Sequence, residues 1–313
     1  MILVISNSSD SSTSDVIAWL VAKKAKWTRI NREDKVHLEF LINEIKFNVN
    51  NTSFYLSEVK TIWYRRGFIS NDFLNFSLMK KEGNTAKGIL DFLDIESETL
   101  REYFYYQLHQ KKHLNSLHNG RINKLITCEI AKSVGLDVPD SFILSNRGEF
   151  QKIASNKRLI TKALGGDPHI LLDDKNGMMY TKEVTKINEQ SFFPSLFQEM
   201  IIKKYELRIF YLDGDFYSMA IFSQEDKQTQ VDFRKYNDKV PNRTVPYKLP
   251  SEIERKLHLL MQKIGRNCGS IDMMVSSENK YYFLEINPGG QFGMVSYPCN
   301  YHLEEKIAEY LIQ

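Results

Sequence analysis

Three oxygen-bearing side chains near the C-terminus, Asp272, Glu285 and Asn287, have the types and spacing of a hard-cation site. Tyr281-Tyr282-Phe283-Leu284 reads as a strand running into Glu285. Residues two apart on a strand point to one face, so Glu285 and Asn287 present two oxygen ligands side by side. Asp272, beside the apolar Met273-Met274-Val275, can bring a third from a neighbouring strand. A small cluster of oxygen ligands suits Mg²⁺, which keeps waters and shares its sphere with substrate phosphates. Pro288-Gly289-Gly290 then ends the strand and lets backbone come close to a ligand.

Upstream, other groups line up that a nucleotide triphosphate needs. Lys124 opens a helix, and Lys162 ends a strand close to Gly165-Gly166. Two lysines can neutralise phosphate charge, and a glycine loop can offer backbone N–H donors. Gln198-Glu199-Met200-Ile201 offers a strand backbone able to pair with an adenine edge, and Glu206 can accept from ribose hydroxyls. Arg208 follows two residues on. Each element alone is an ordinary surface feature; their co-occurrence in this order is specific. No G-x-x-x-x-G-K-[ST] occurs, so a P-loop is not the alternative.

These residues must be positioned by elements the sequence also outlines. Met1–Ile5 is a buried-strand run, Ser6–Asp15 a Ser-rich turn, and Asp15–Ala25 a helix with Asp15 as its cap. Phe40–Val49 alternates as strands do, Thr61–Tyr64 is another short strand, and Ile89–Leu117 is a long helical stretch. Asn123–Val134 reads as a helix, Ser141–Leu144 and Arg158–Lys162 as strands. Asp213-Gly214 joins two strands as a hairpin turn. Ser251–Arg266 is a helix, and Met294–Gln313 ends in an amphipathic one. The expected domains are 1–120, 121–195 and 196–313.

The bulk numbers exclude several classes. With 313 residues the chain suits two or three domains. Its 42 basic and 39 acidic residues give a net charge of +3 with no basic block, so no nucleic-acid partner is expected. No apolar run is long enough to span a membrane, and no signal peptide is visible. Three scattered cysteines form neither a zinc spacing nor a disulfide framework, which makes cytoplasmic residence the default.

The order Lys124, Lys162-x-x-Gly165-Gly166, Glu199-Met200-Ile201, Glu206-x-Arg208, Asp272, Glu285-x-Asn287 resembles the ATP-grasp superfamily from about Arg121 onward. The resemblance implies a mixed α/β and α+β fold, with a Rossmann-like N-terminal domain and two α+β subdomains that clamp ATP. It implies that Lys124 and Lys162 contact phosphates and that Gly165 and Gly166 belong to a lid. Glu199, Met200 and Ile201 would form the adenine hinge, and Glu206 would hold the ribose. Arg208 would stabilise the transferred phosphoryl group, with Asp272, Glu285 and Asn287 on two Mg²⁺ ions. Trp63-Tyr64-Arg65-Arg66-Gly67, Val231–Tyr236 and the wording around Asn123-Lys124-Leu125 look like the microviridin-type, or graspetide, peptide cyclases. That branch implies ester or amide rings on a precursor peptide with leader and core, and a homodimer. Arg65, Arg66 and Arg234 are then the candidates for binding the acceptor carboxylate or an oxyanion. The charged stretch Ser223–Asn242 and the Tyr-rich Leu100–Leu114 are expected to touch the leader. The rival readings are a ligase adding free amino acids to a peptide or protein, an ATP-grasp small-molecule kinase, and a nucleotide-sensing scaffold.

Overall fold

The structure, a computed structural model, describes residues 1–69, 87–116, 122–165, 169–172, 175–178, 181–224 and 242–313. Gly166, Arg234 and the stretch 225–241 lie outside the described residues. The chain divides into two compact units, Met1–Gly120 with His302–Gln313, and Arg121–Tyr301.

The first unit opens with β1 (Ile2–Ser6), α1 (Ser11–Ala22) and β2 (Trp27–Asn31). A hairpin sheet follows, β3 (Val36–Leu41), β4 (Glu44–Val49) and β5 (Thr52–Tyr55). Then come β6 (Thr61–Tyr64), α2 (Lys87–His109) and β7 (Lys112–Leu114). Strands β2-β1-β6-β7 form one sheet, parallel throughout. Every residue of β1 is buried, as a central parallel strand requires. The core joins Leu3, Ile5 and Ile62 of this sheet to Phe47 and Phe54 of the hairpin sheet and Phe104 of α2. Helix α1 starts at Ser11, with Asp10 as its cap residue, four residues earlier than the sequence suggests. The polar run Ser11–Ser14 reads as a turn, yet Thr13 and Ser12 are buried in the helix and Thr13 Oγ1 donates to Asp10 Oδ2 at 2.6 Å.

The turn after β6 requires glycine. Gly67 has φ +120°, and a Cβ there would overlap the Ser6 carbonyl oxygen. Gly67→Ala should therefore cost about 1–3 kcal/mol of stability. Denaturant melts of the two chains would check this, and coincident melts would sink it.

The second unit contains α3 (Lys124–Ser133), β8 (Ser141–Asn146), α4 (Arg147–Ala154) and β9 (Leu159–Thr161). After the hairpin β10 (His169–Leu172) and β11 (Lys175–Met178) come β12 (Lys182–Val184), β13 (Ser191–Glu199), β14 (Lys203–Leu212) and β15 (Asp215–Phe222). It closes with β16 (Arg243–Tyr247), α5 (Ser251–Lys263), β17 (Cys268–Ser276), β18 (Tyr281–Asn287) and α6 (Gly293–Cys299). Two sheets carry the unit, β12-β9-β13-β8 and β16-β15-β14-β17-β18, and the pairs within them are antiparallel. The β14–β15 turn holds Asp213 at φ 45° and Gly214 at φ 111°, the left-handed geometry that an Asp-Gly hairpin favours. One face of the larger sheet, with Leu207, Ile209, Ile271 and Met273, packs on Leu257 and Leu260 of α5 and Ala131 of α3. That leaves the opposite face for chemistry. The last helix, α7 (Leu303–Ile312), packs in the first unit, where Lys23 bridges Glu305 and Glu309 at 3.0 and 2.9 Å.

Candidate active site

On the open face of the larger sheet, three strands set their polar residues in one row. Arg208 of β14 pairs in register with Asp272 of β17, and Asp272 with Glu285 of β18. Arg208 Nη1 donates to the Asp272 carboxylate. Asn287, two residues beyond Glu285, donates through Nδ2 to Asp272 Oδ2 at 3.4 Å and to Glu285 Oε1 at 3.3 Å. The three ligands that the sequence singled out are thus within one hydrogen-bonded cluster. Among the described residues no three His, Cys, Asp or Glu side chains form a metal-binding group, so this set consists of two carboxylates and one amide. Such a set fits Mg²⁺, which is held by one or two carboxylates plus substrate phosphates. Asn287 would contribute Oδ1 after half a turn of its amide.

Two lysines face the carboxylates. Helix α3 lies along β18, capped by Asn123, whose side chain accepts from Leu125 and Ile126 N–H at 3.0 and 3.3 Å. The cap fixes Lys124 in the first turn, with Nζ 2.9 Å from Glu285 Oε2 and 3.5 Å from the Ala163 carbonyl. Burial pushes the Lys162 ammonium down in pKa, and Glu285 pulls against that shift. For Glu285 burial acts to raise the pKa, but Lys124 and Lys162 together hold the carboxyl down to about 2. The cluster therefore keeps its negative charge while holding positive charge ready for phosphate oxygens.

A β-bulge completes the site. Asp272 pairs with Glu285, but Met273 pairs with Phe283, leaving Leu284 as the extra residue. Leu284 lines a crevice with Ile160, Met200, Ile201, Lys203 and Met274. At its rim Glu199 N–H and Met200 N–H already donate to the Asp140 and Arg158 carbonyls, each at 2.8 Å. Among the described residues Ile201 N–H has no such partner, so it is the donor that can meet a heterocycle edge. The Glu199 carboxylate pairs with Lys157 Nζ at 2.9 Å, so its charge is already engaged at the rim.

Lys203 escaped the sequence reading. It is buried and donates to Glu206 Oε1, which also accepts from Ser223 Oγ at 3.3 Å. On a regular strand residues three apart face opposite ways. A register shift between Lys203 and Tyr205 turns them to the same side. Only the approach of a charged Lys to the Gln198–Ile201 hinge could have signalled it.

The remaining candidates are distributed differently. Gly165 is exposed just beyond Lys162. Arg65 and Arg66 belong to the first unit, where Arg65 Nε donates to Asp10 Oδ2 at 3.0 Å with 3% and 0% of the two side chains exposed. Arg66 is half-buried.

No family model matches the sequence, and no curated protein sequence matches it. Solved structures do match over the full length. A RiPP-associated ATP-grasp ligase of Chryseobacterium gregarium, in complex with ADP and a leader and core peptide, superposes with TM-score 0.79 at 23% identity, covering 99% of this chain and 96% of that one. The macrocyclase MdnC of Microcystis aeruginosa, bound with precursor peptide MdnA, gives TM-score 0.75 at 26% identity over 100% and 99% of the two chains. The ATP-grasp ligase PsnB, complexed with minimal precursor, Mg and ADP, gives 0.69 at 16% identity over 99% and 96%. This chain has the ATP-grasp fold in the form carried by these RiPP ligases.

Proposed function

We propose that the chain is an ATP-dependent ligase that macrocyclises a ribosomally made precursor peptide. The single observation that carries this is full-length likeness to ligases bound to precursor peptides, and the row Arg208, Asp272, Glu285 and Asn287 agrees with it. The substrate has a leader and a core, the cofactors are ATP and two Mg²⁺ ions, and the enzyme works as a cytoplasmic homodimer. Among the described residues no helix is long and apolar enough to cross a membrane.

In this reading Met200 and Ile201 hold the adenine over Met274 and Leu284. Glu206, steadied by Lys203, takes the ribose, while Lys124, Lys162 and the Gly165-Gly166 loop take the phosphates. Asp272, Glu285 and Asn287 would hold Mg²⁺, which when bound supplies charge opposite the phosphate oxygens. An Asp or Glu carboxylate of the core attacks the γ-phosphorus and ADP departs, leaving an acyl phosphate. Lys162 and Arg208 offset the charge that builds on the transferred phosphoryl oxygens. A Ser or Thr hydroxyl, or a Lys amine, then attacks the acyl carbon. Inorganic phosphate leaves with the proton, and an ester or amide ring remains. Arg66 and Arg234 serve the carboxylate side of the peptide, while Arg65, buried on Asp10, only supports the turn beside Arg66.

Intact mass spectrometry of a candidate precursor, incubated with the chain, ATP and Mg²⁺, tests the reading. Loss of one water per ring supports it, and reopening in mild base marks esters. A gain of one amino-acid residue would make the chain a tailing ligase, and a gain of a phosphoryl group a kinase. A narrower test addresses the crevice. Met274→Trp should raise KM for ATP by roughly tenfold with little change in kcat, since added bulk there opposes the base rather than the reacting groups. An unchanged KM would remove Met274 from the adenine site.

A further inference from the structure

A buried hydroxyl adjoins the carboxylate cluster on the open face of the larger sheet. Ser270 of β17 is 0% exposed, and among the described residues its Oγ has no hydrogen-bond partner. It stands two residues before Asp272 in a regular stretch of the β17–β18 ladder, so the two side chains share a face. Its partner in register on β18 is Asn287. Directly opposed residues of an antiparallel pair point the same way, with Cβ atoms about 4.5–5.5 Å apart. On the other flank β14 sets Phe210, whose ring centroid lies 5.4 Å from that of Phe292. Gly290 passes so close that a Cβ there would lie 2.8 Å from Ser270 Oγ. Gly290 N–H donates to the Asn287 carbonyl at 3.0 Å, which holds this backbone in place.

A hydroxyl shut away from water without a partner is a cost to the fold that needs a reason. Asn287 offers one. Its Nδ2 donates to Asp272 Oδ2 and Glu285 Oε1 at 3.4 and 3.3 Å, both longer than a well-formed N–H···O bond. A carboxamide carries its donors on one side and its acceptor on the other. An Asn287 that turns Oδ1 toward a cation among those carboxylates must therefore turn Nδ2 away from them. The amide N–H then needs a new acceptor, and the Ser270 hydroxyl lies beside it in register with lone pairs to offer.

We propose that Ser270 is a positioning residue for Asn287: Ser270 Oγ accepts from Asn287 Nδ2 when Oδ1 faces the cation, and so fixes the amide in the orientation that binds. One change of amide orientation satisfies two groups at once, the buried hydroxyl and the displaced N–H. That a cation binds here rests on the proposed function; the unpartnered hydroxyl beside Asn287 rests on the sheet alone.

The test is calorimetry of ADP binding to the full chain, with and without Mg²⁺, together with denaturant melts of the chain free of nucleotide. Ser270→Ala keeps the strand and removes the acceptor. Its ADP affinity without Mg²⁺ should match that of the parent chain. The gain in affinity that Mg²⁺ confers should shrink roughly tenfold, because the amide N–H is left unbonded whenever Oδ1 turns to the cation. The melt of the free variant should lie at or above that of the parent, since a hydroxyl without a partner has been removed. A residue that only props the glycine turn behaves differently: its loss lowers the melt and weakens ADP binding alike with and without Mg²⁺. That pattern, or a variant as dependent on Mg²⁺ as a Mg²⁺-dependent parent, would overturn the role of Ser270 and leave the proposed function standing. A parent chain whose ADP affinity is indifferent to Mg²⁺ would overturn this inference and the cation site of the proposed function together.

Discussion

Glu285→Gln is expected to lower ATP-dependent turnover by about 10²–10³-fold at saturating ATP. The substitution keeps shape and removes one negative charge. That charge now faces Lys124 at 2.9 Å and pulls upward on the buried Lys162 ammonium. Without it, Lys162 loses the group that most favours its charged form, and the positive charge needed opposite the phosphates weakens along with the cation site. Asn287 Nδ2 would then face a neutral amide oxygen in place of one of its two charged acceptors. The side chains of Lys124 and Glu285 are only 16% and 17% exposed, so losing the pair should also cost about 1–3 kcal/mol, less than a fully buried pair would. Rate and stability separate in the measurement. ADP release under single-turnover conditions reads the chemistry, a denaturant melt reads the fold, and calorimetry of ADP with and without added Mg²⁺ reads the metal. The expected result is a folded chain whose ADP affinity no longer depends on Mg²⁺. Near-normal turnover with that dependence intact would remove Glu285 from the ligand set.

Local rules carry some of this site and not the rest. The period-two spacing of Glu285 and Asn287 was readable, because β18 is regular from Glu285 onward and its partner Asp272 sits in register. The Asp213-Gly214 hairpin was readable because left-handed dihedrals are demanded by the turn itself. Asn123 as a cap was readable in the same way, being a bond between near neighbours. The bulges were not. Leu284 and Glu285 at one sheet face, and Lys203 beside Glu206, depend on how a neighbouring strand is paired, which alternation along one strand cannot register. The start of α1 was misplaced because Ser11–Ser14 is polar by composition, while Ser12 and Thr13 within it are buried by tertiary packing. Arg65 shows the same limit at longer range. Its partner Asp10 is 55 residues away, so its burial was invisible beside the adjoining Arg66. Arg65 consequently acts through the turn that it ties down, while Arg66 is the more accessible of the two.

Arg208 offers the second large effect, and two substitutions separate its roles. In the structure it does two things: it donates to Asp272, and it stands in the row that would face the transferred phosphoryl group. Arg208→Gln removes both its charge and its partnership. Asp272, with its side chain 15% exposed, is then left without its guanidinium, which should cost about 1–3 kcal/mol after allowance for partial solvation. Turnover should fall about 10³-fold, because the charge on the phosphoryl oxygens is greatest in the transition state and the lost stabilisation is concentrated there. Arg208→Lys keeps a positive charge near Asp272 but gives up the planar fork that can hold a carboxylate and a phosphoryl oxygen at once. Its melt should lie close to that of the parent chain, while kcat falls about 10²-fold and KM for ATP moves little. That split is the decisive observation. A side chain that only positions Asp272 would be replaced by Lys with a matching recovery of rate and stability. A side chain that touches the reacting phosphoryl group would recover stability alone. If Arg208→Lys turns over at nearly the parent rate, Arg208 is a support for the cation site, and the charge at the transferred group must come from Lys162.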